Sequence, residues 1–470
     1  MKKKKKKFRG DMVLFFSLAI EIAIVLWVFE KRNKKNNIIL PENDVMSKKI
    51  GVLVFPAGEI NSVELHDALA TCVNIELYGA SSIDKHGEYV FKNYISGLPM
   101  ISEENFFDEF NKIIEENNID VVFPTHDTVA DFFAENKDRI KANIIVADRW
   151  TAKVCRDKKK TYEVFEKESF CPKVYEQIGT YPVFIKPKKG QGSVGAKLIR
   201  SKDDITDSIV LSEYVITEYL PGKEITVDCF TDRHGKLRVV LPRSRDRLLA
   251  GISVSAKDEE LTDEIKNIAD TINSKLNFRG LWWLQLKEDK DKKLKLLEVS
   301  TRCAGTMCMA RARGVNLALL SVYDALGYEV EVFINSYHIK LDRSLISRYK
   351  IDYEYDNVYF DFDDTLIINN KVHLPSISFL YQCKNKGKKI FLITKHETDI
   401  YEDLEKYNLP KSLFEEIIWI KPEEDKVDYI KKDRSIFVDN MHAERKNIIT
   451  KLGIPVFDVD AIEVLMDWRI

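Results

Sequence analysis

Two stretches of this 470-residue chain concentrate residues that could do chemistry. In the first, Val183-Phe184-Ile185 ends in Lys186, and Lys188-Lys189-Gly190-Gln191-Gly192-Ser193-Val194-Gly195 follows before an apolar run resumes at 196–199. Glycines let backbone N–H groups approach phosphate oxygens, so a glycine-rich loop between two strands suits a cover over a triphosphate. It is not a Walker loop, which needs Gly-Lys-Ser/Thr entering a helix, and alone it reads equally well as a flexible hairpin. Further on, Glu218-Tyr219-Leu220 leads into Pro221-Gly222-Lys223-Glu224, Gln285 lies in the apolar run 282–286, and Glu298 lies in 294–299 ahead of Ser300-Thr301-Arg302. Hairpin strands bearing Gln and Glu can bring two oxygen ligands to one magnesium ion. In the second stretch, an apolar strand from Asn357 ends in Asp361-Phe362-Asp363-Asp364-Thr365. Carboxylates gathered at the C-terminal end of a strand repel one another unless a cation lies between them, and magnesium is the economical choice. A strand over 390–393 ends in Thr394, another over 435–438 ends in Asp439-Asn440, and Lys421 and Lys426 lie between them.

The elements around these residues alternate. The run 50–55 is a buried strand followed by Pro56-Ala57-Gly58, 63–70 has helical spacing, and 74–78, 120–123 and 144–146 are strands with a helix at 106–116. This alternation implies a small doubly wound domain over 46–147. From Asp148 the strands carry glycines and paired charges, and a second α/β region runs to about Glu331. A link rich in Arg, Tyr and Asp precedes a third α/β unit, 357–470.

Taken in order, the first set of segments resembles the ATP-grasp family, in its carbamoyl-phosphate-synthase-like and PylC-like branch. The resemblance implies a small Rossmann-like domain at 46–147 ahead of an ATP-grasp fold at 148–345. Asp157-Lys158 matches the family's Asp-Lys pair, so Lys158 would touch the α- or β-phosphate and Lys186 would bridge phosphate and adenine. Gly190, Gly192, Ser193 and Gly195 would cover the triphosphate. Glu218, Tyr219 and Leu220 would form the adenine hinge, and Glu224 would hold the ribose. Gln285 and Glu298 would bind Mg2+, with Mn2+ as a substitute, and Arg302 would contact the γ-phosphate or an acyl phosphate. The family's last motif usually has Asn where this chain has Ser300, a weaker ligand in that metal position. The implied activity is a carboxylate–amine ligase acting through an acyl phosphate, its partners a small carboxylate and a nucleophile. Arg243, Arg245 and Arg247, with Gly251 nearby, are read either as anchors for an anionic substrate or as surface arginines.

The second set resembles the haloacid-dehalogenase (HAD) phosphohydrolases, and Asp-x-Asp-x-Thr at 361–365 carries the likeness. The resemblance implies Asp361 as nucleophile and Asp363 as general acid and base. Thr394 would bind the phosphoryl group, and Lys426 or Lys421 would offset its charge. Asp361, Asp363 and Asp439 would form the magnesium site. The intervals from 365 to 394 and from 394 to 421 are short, which implies a capless Rossmannoid domain with an open site for a phosphorylated substrate. A metal-binding relic without hydrolysis is the alternative for this unit.

The whole reads as an α/β and α+β multidomain enzyme in biosynthesis of a small molecule or surface-polysaccharide precursor. The other readings are a nucleotide-responsive regulator with degenerate sites, and a kinase that stops at the acyl phosphate. A formal net charge of -2 makes no case for nucleic acid. Seven cysteines without a CxxC pair suit a reducing, cytoplasmic setting. Residues 1–45 join a lysine cluster to an apolar run at 12–29 interrupted by Glu21. Three readings stand for them: a membrane-associated helix, a spanning anchor, or an extension ahead of a start at Met46.

Overall fold

The computed structural model describes residues 49–469 apart from 191, 193, 207, 208 and 250. The 1–45 extension with its apolar run, the start at Met46, and Ser193 therefore lie outside the described residues. Among the described residues no helix is long and apolar enough to cross a membrane.

Strand β1 (Ile50–Phe55) is buried along its whole length. It sits at the centre of a parallel sheet in the order β3-β2-β1-β4-β5, with β2 (Ile75–Ala80), β3 (Asn93–Ile95), β4 (Ile119–Pro124) and β5 (Asn143–Ile144). A central parallel strand is covered on both faces, so every position is apolar. Val52 and Val54 enter one core, Leu53 and Phe55 the other. Each such side chain contributes about 1.5–3 kcal/mol on full burial. Helices α1 (Ile60–Leu69), α2 (Phe106–Glu116) and α3 (Asp127–Glu135) cover the sheet. On α2, Phe106, Phe110 and Ile114 recur at helical spacing and are all buried.

Helices α4 (Arg149–Arg156) and α5 (Lys158–Val164) lead into two antiparallel sheets. One has the order β6-β9-β7-β8, from β6 (Val174–Tyr175), β7 (Val183–Pro187), β8 (Lys197–Ile199) and β9 (Tyr214–Glu218). The other has the order β11-β10-β14-β15, from β10 (Glu224–Thr231), β11 (Leu237–Ser244), β14 (Gly280–Glu288) and β15 (Leu294–Ser300). Between them in sequence come β12 (Arg247–Leu249), β13 (Ile252–Lys257) and helix α6 (Asp263–Lys275). Helices α7 (Cys308–Ala312) and α8 (Leu317–Ala325) then return to the first sheet. One core joins Val52, Val54 and Leu65 to Phe230, Leu281, Leu317 and Val322. The change at 147/148 is thus a change of topology, with no break in the apolar packing.

The third unit has a parallel sheet in the order β21-β20-β17-β22-β23. Its strands are β17 (Asn357–Phe360), β20 (Lys389–Thr394), β21 (Glu416–Trp419), β22 (Ser435–Val438) and β23 (Val456–Phe457). The short pair β18 (Ile367–Ile368) and β19 (Lys371–Val372) precedes helix α9 (Leu374–Asn385); α10 (Ile400–Lys406) and α11 (His442–Leu452) complete the layers. The clusters at its centre draw only on residues 353–466, and the other clusters only on 50–332.

Candidate functional site

Strand alternation in the β10, β14, β15 sheet builds the first site. Ile225, Val227, Trp282, Leu284, Leu286, Leu296 and Val299 face α6 and bury against its Ile265, Ile268 and Ile272. The opposite face therefore carries Glu224, Thr226 and Asp228 on β10, Trp283, Gln285 and Lys287 on β14, and Glu298 and Ser300 on β15. Register puts Thr226 beside Gln285 and Gln285 beside Glu298. The pairing slips between Gln285 and Leu286, and Leu297 drops out of register. A bulge frees backbone groups from the ladder. Here the freed carbonyl of Leu297 accepts from the Lys186 ammonium and from the Tyr162 hydroxyl, each at 2.8 Å.

Lys186, at the end of β7, is 7% exposed and lies 5.1 Å from the Tyr162 ring centre. Burial pushes its pKa down to about 7, with Glu298 pulling the other way. Asp157 caps α5 by accepting from the backbone N–H of Lys159 at 3.0 Å and of Lys160 at 3.4 Å, which places Lys158 at the helix start. The Lys158 ammonium donates to the Gly190 carbonyl at 3.0 Å and lies 3.6 Å from Glu298 Oε2. Glu224 takes its contacts from Arg245, Lys287 and the Gln285 amide nitrogen, so three donors hold the one carboxylate.

These side chains line two adjoining clefts. One, of about 220 Å³, has Lys186, Tyr219, Leu220 and Glu224 in its walls; Glu218 also lines it and accepts from the Lys173 N–H at 2.8 Å. The other, of about 150 Å³, has Asp127, Arg245, Trp283 and Arg302. Lys158, Gly190, Gln285 and Glu298 belong to both. Gly192 lines only the second cleft, and Gly195 neither. Buried and unpartnered at the second cleft are Thr226 Oγ1 and Trp283 Nε1, two polar atoms that a substrate could satisfy. A carboxylate on Glu298 and a carbonyl oxygen on Gln285 are hard oxygen donors of the kind magnesium takes, with phosphates and water completing such a shell. The donor set fits. Among the described residues, no group of three or more His, Cys, Asp or Glu side chains could hold a metal.

The structure adds protein partners to several of the expected site residues. Arg302 is not a free guanidinium: its Nε and Nη2 donate to Asp127 at 2.8 and 2.9 Å, and the Ser300 hydroxyl donates to the same carboxylate at 3.0 Å. Burial works against both charges, yet Arg302 holds Asp127 below the usual carboxylate range and Asp127 holds Arg302 above the usual guanidinium range. Ser300 thus serves Asp127 where the sequence reading has it as a metal ligand. Asp127 escaped that reading, although an acid just past the end of a central parallel strand is where such sheets place sites. The three arginines part company as well. Arg243 is 2% exposed and locked to Asp228 and Thr306 in the wall of the second cleft, Arg245 lines the same cleft, and Arg247 pairs with Asp342 at the surface, away from both clefts.

In the third unit, Asp361 follows β17, Thr394 ends β20, and Asp439 follows β22, three neighbouring parallel strands. Lys426 is 3% exposed, and its ammonium lies 2.7 Å from both Asp361 Oδ1 and Asp439 Oδ2. Lys421 is exposed, its backbone N–H donating to Glu424 at 2.7 Å, so burial separates the two lysines. Burial pushes Asp361 above the usual carboxylate range; Lys426 opposes this and Asp439 adds to it. Thr394 Oγ1 is buried without a partner. Asn440 Oδ1 accepts from the Thr365 hydroxyl at 3.2 Å. Asp363 departs from the expected metal set: both its oxygens lie 2.9 Å from His396 Nδ1, and it does not join Asp361 and Asp439 in a three-acid group.

Residues 211–341 match the model of a family described as ATP-grasp in the biosynthetic pathway with Ter operon. A 3-methyl-D-ornithine–L-lysine ligase of Methanosarcina acetivorans is 26% identical over 156 residues, 32% of this chain and 40% of that protein. A D-alanine–D-alanine ligase of Clostridium botulinum is 25% identical over 170 residues, 32% of this chain and 56% of that protein. The chain spans 40% and 56% of the length of these two curated relatives. Among solved structures, N5-carboxyaminoimidazole synthetase of Staphylococcus aureus complexed with ADP has a TM-score of 0.50 at 14% identity, over 61% of this chain and 79% of that one. This last likeness is one of fold. The matched region, with Glu218, Gln285, Glu298 and Arg302 in it, carries the likeness to the ATP-grasp family.

Proposed function

We propose that this chain is an ATP-dependent ligase that activates a carboxylate as an acyl phosphate and passes it to an amine or a similar nucleophile. The observation that carries this reading is the wall shared by two clefts, where Lys158, Gln285 and Glu298 face both. On this reading the larger cleft takes the nucleotide, with Tyr219 and Leu220 beside the base. The smaller takes the acid, beside Arg245 and the Asp127–Arg302 pair. A carboxylate oxygen attacks the γ-phosphorus as the bond to ADP breaks, and Lys158 and Lys186 offset the charge on the transferring group. The amine then attacks the acyl carbon and phosphate leaves. Magnesium held by Gln285 and Glu298 adds to the charge compensation when bound. The curated relatives are named as ligases of amino acids, and amino acids are the first class of acid to try.

The C-terminal unit is proposed as a magnesium-dependent phosphohydrolase of HAD type. Asp361 attacks the phosphorus, the leaving oxygen departs with a proton from Asp363, and water then releases phosphate from the aspartyl phosphate. Supporting this are Lys426, set between Asp361 and Asp439, and the unpartnered Thr394 hydroxyl, free to donate to a phosphoryl oxygen.

The test supplies the full chain with ATP, magnesium and an amino-acid pool, and follows ADP release and product mass. ADP release is expected to require the pool, to disappear in Glu298→Ala, and to persist in Asp361→Asn. ADP release indifferent to every carboxylate offered would overturn the ligase reading.

A further inference from the structure

Beside the Asp361 site lies a hydrogen-bonded chain of which the functions proposed so far use only Asp363. His396 follows Thr394 by two residues, past the end of β20. Its Nδ1 lies 2.9 Å from each oxygen of Asp363, and its Nε2 lies 2.7 Å from Asp403 Oδ2 on α10. The backbone carbonyl of His396 accepts from Trp419 Nε1 at 2.8 Å, and its ring stands edge-on to Phe362 at 5.0 Å. Asp403 is braced in turn, accepting from the Thr398 hydroxyl at 2.8 Å and from Lys406 at 3.1 Å. The imidazole thus bridges the two carboxyl groups, one at each ring nitrogen. The Asp363 side chain is 54% exposed while that of His396 is 11% exposed. One end of the chain is thus open to solvent and the other is anchored in the fold.

We infer that His396, braced by Asp403, is a positioning residue that sets the orientation of Asp363 as proton donor to the leaving group. This rests on the phosphohydrolase reading of the C-terminal unit. A general acid must hold its proton toward the departing oxygen, and an exposed carboxyl on a single rotatable stem loses that alignment without a fixed partner. In the step concerned, Asp361 forms a bond to phosphorus and the bond from phosphorus to the leaving oxygen breaks. The electron pair stays on that oxygen, which takes the proton from Asp363. In the second half, Asp363 takes a proton from the attacking water and is restored.

The experiment compares two phosphate monoesters on the full chain with magnesium: an alkyl ester, whose alkoxide must be protonated to leave, and 2,4-dinitrophenyl phosphate, whose phenolate needs no proton. In His396→Gln and in Asp403→Asn, kcat is expected to fall at least about tenfold further on the alkyl ester than on the activated ester. Partial unfolding lowers both rates together and leaves their ratio unchanged, so the ratio separates positioning from stability. Equal losses on both esters, or none, would overturn the role of His396 while an effect of Asp361→Asn on the wild-type rate kept the phosphohydrolase reading. Hydrolysis of neither ester by the wild-type chain, or a rate indifferent to Asp361→Asn, would overturn that reading and this inference with it.

Discussion

Lys186 shows how burial prepares a residue for an anionic ligand. A lysine held near pKa 7 by desolvation is only partly charged in the free protein above that pH. A bound triphosphate favours the ammonium and raises the pKa again. The sign follows: nucleotide binding takes up a proton at pH 8 and almost none at pH 6, and affinity weakens as pH rises through and beyond 7. Calorimetry of ATP binding in buffers of different ionisation enthalpy measures the uptake, which is expected to approach about one proton at pH 8 and to vanish in Lys186→Met. No net uptake in the wild-type chain at pH 8 would show that Lys186 keeps its charge without nucleotide. The Asp127–Arg302 pair teaches a related lesson. Each charge tolerates its burial through the other, and removing one partner of such a pair costs about 3–5 kcal/mol.

At the scale of elements, the glycine loop is positioned by what it touches. Gly251 sits at the turn between β12 and β13 with φ +78, and a Cβ there would lie 2.1 Å from the Gly192 carbonyl oxygen. Both the left-handed backbone and the close approach require glycine. Gly251→Ala is therefore expected to push the loop off the second cleft and to raise the KM for ATP by about tenfold, or about 1.4 kcal/mol. Steady-state kinetics measures this, and a melting temperature close to wild type would locate the effect in the loop. An unchanged KM would mean that the contact does not set the loop's position. The bulge at Leu297 belongs to this scale too, since it frees the carbonyl that holds Lys186 in place.

At the scale of the molecule, cores decide what can fold apart. The first sheet and the β10, β14, β15 sheet share one apolar core through α1 and α8, while each also has a core on its other face. The third unit carries a closed core of its own, and its ties to the rest include the Lys350–Glu88 ion pair at 2.9 Å. A pair at such exposure contributes about 0–1 kcal/mol. A fragment of residues 352–470 is expected to melt as one cooperative transition and to keep any phosphomonoesterase activity of the full chain. A fragment ending at 147 is expected to melt with reduced cooperativity, because the core of Val52, Val54 and Leu65 then loses Phe230, Leu281, Leu317 and Val322. Differential scanning calorimetry on the two fragments tests both, and a sharp transition in the shorter one would contradict the shared core.

Order and residue type alone determined much of this protein. The strand-end Lys186, the alternation that sets Gln285 and Glu298 on one face, and Asp361, Thr394 and Asp439 at the ends of apolar runs are all local patterns. Backbone periodicity dictates which way such side chains point. What only the tertiary structure decided are the partnerships. Asp127 reaches Ser300 and Arg302 across more than 170 positions of sequence. Lys426 is buried between two acids while Lys421 is exposed, and Arg243 is locked to Asp228 in the wall of the second cleft. Asp363 turns to His396, and Leu297 is freed by a one-residue slip in pairing. The reason is physical: a charge's role depends on which opposite charge lies within about 3–4 Å and how much water is excluded around it, and chain folding alone sets both.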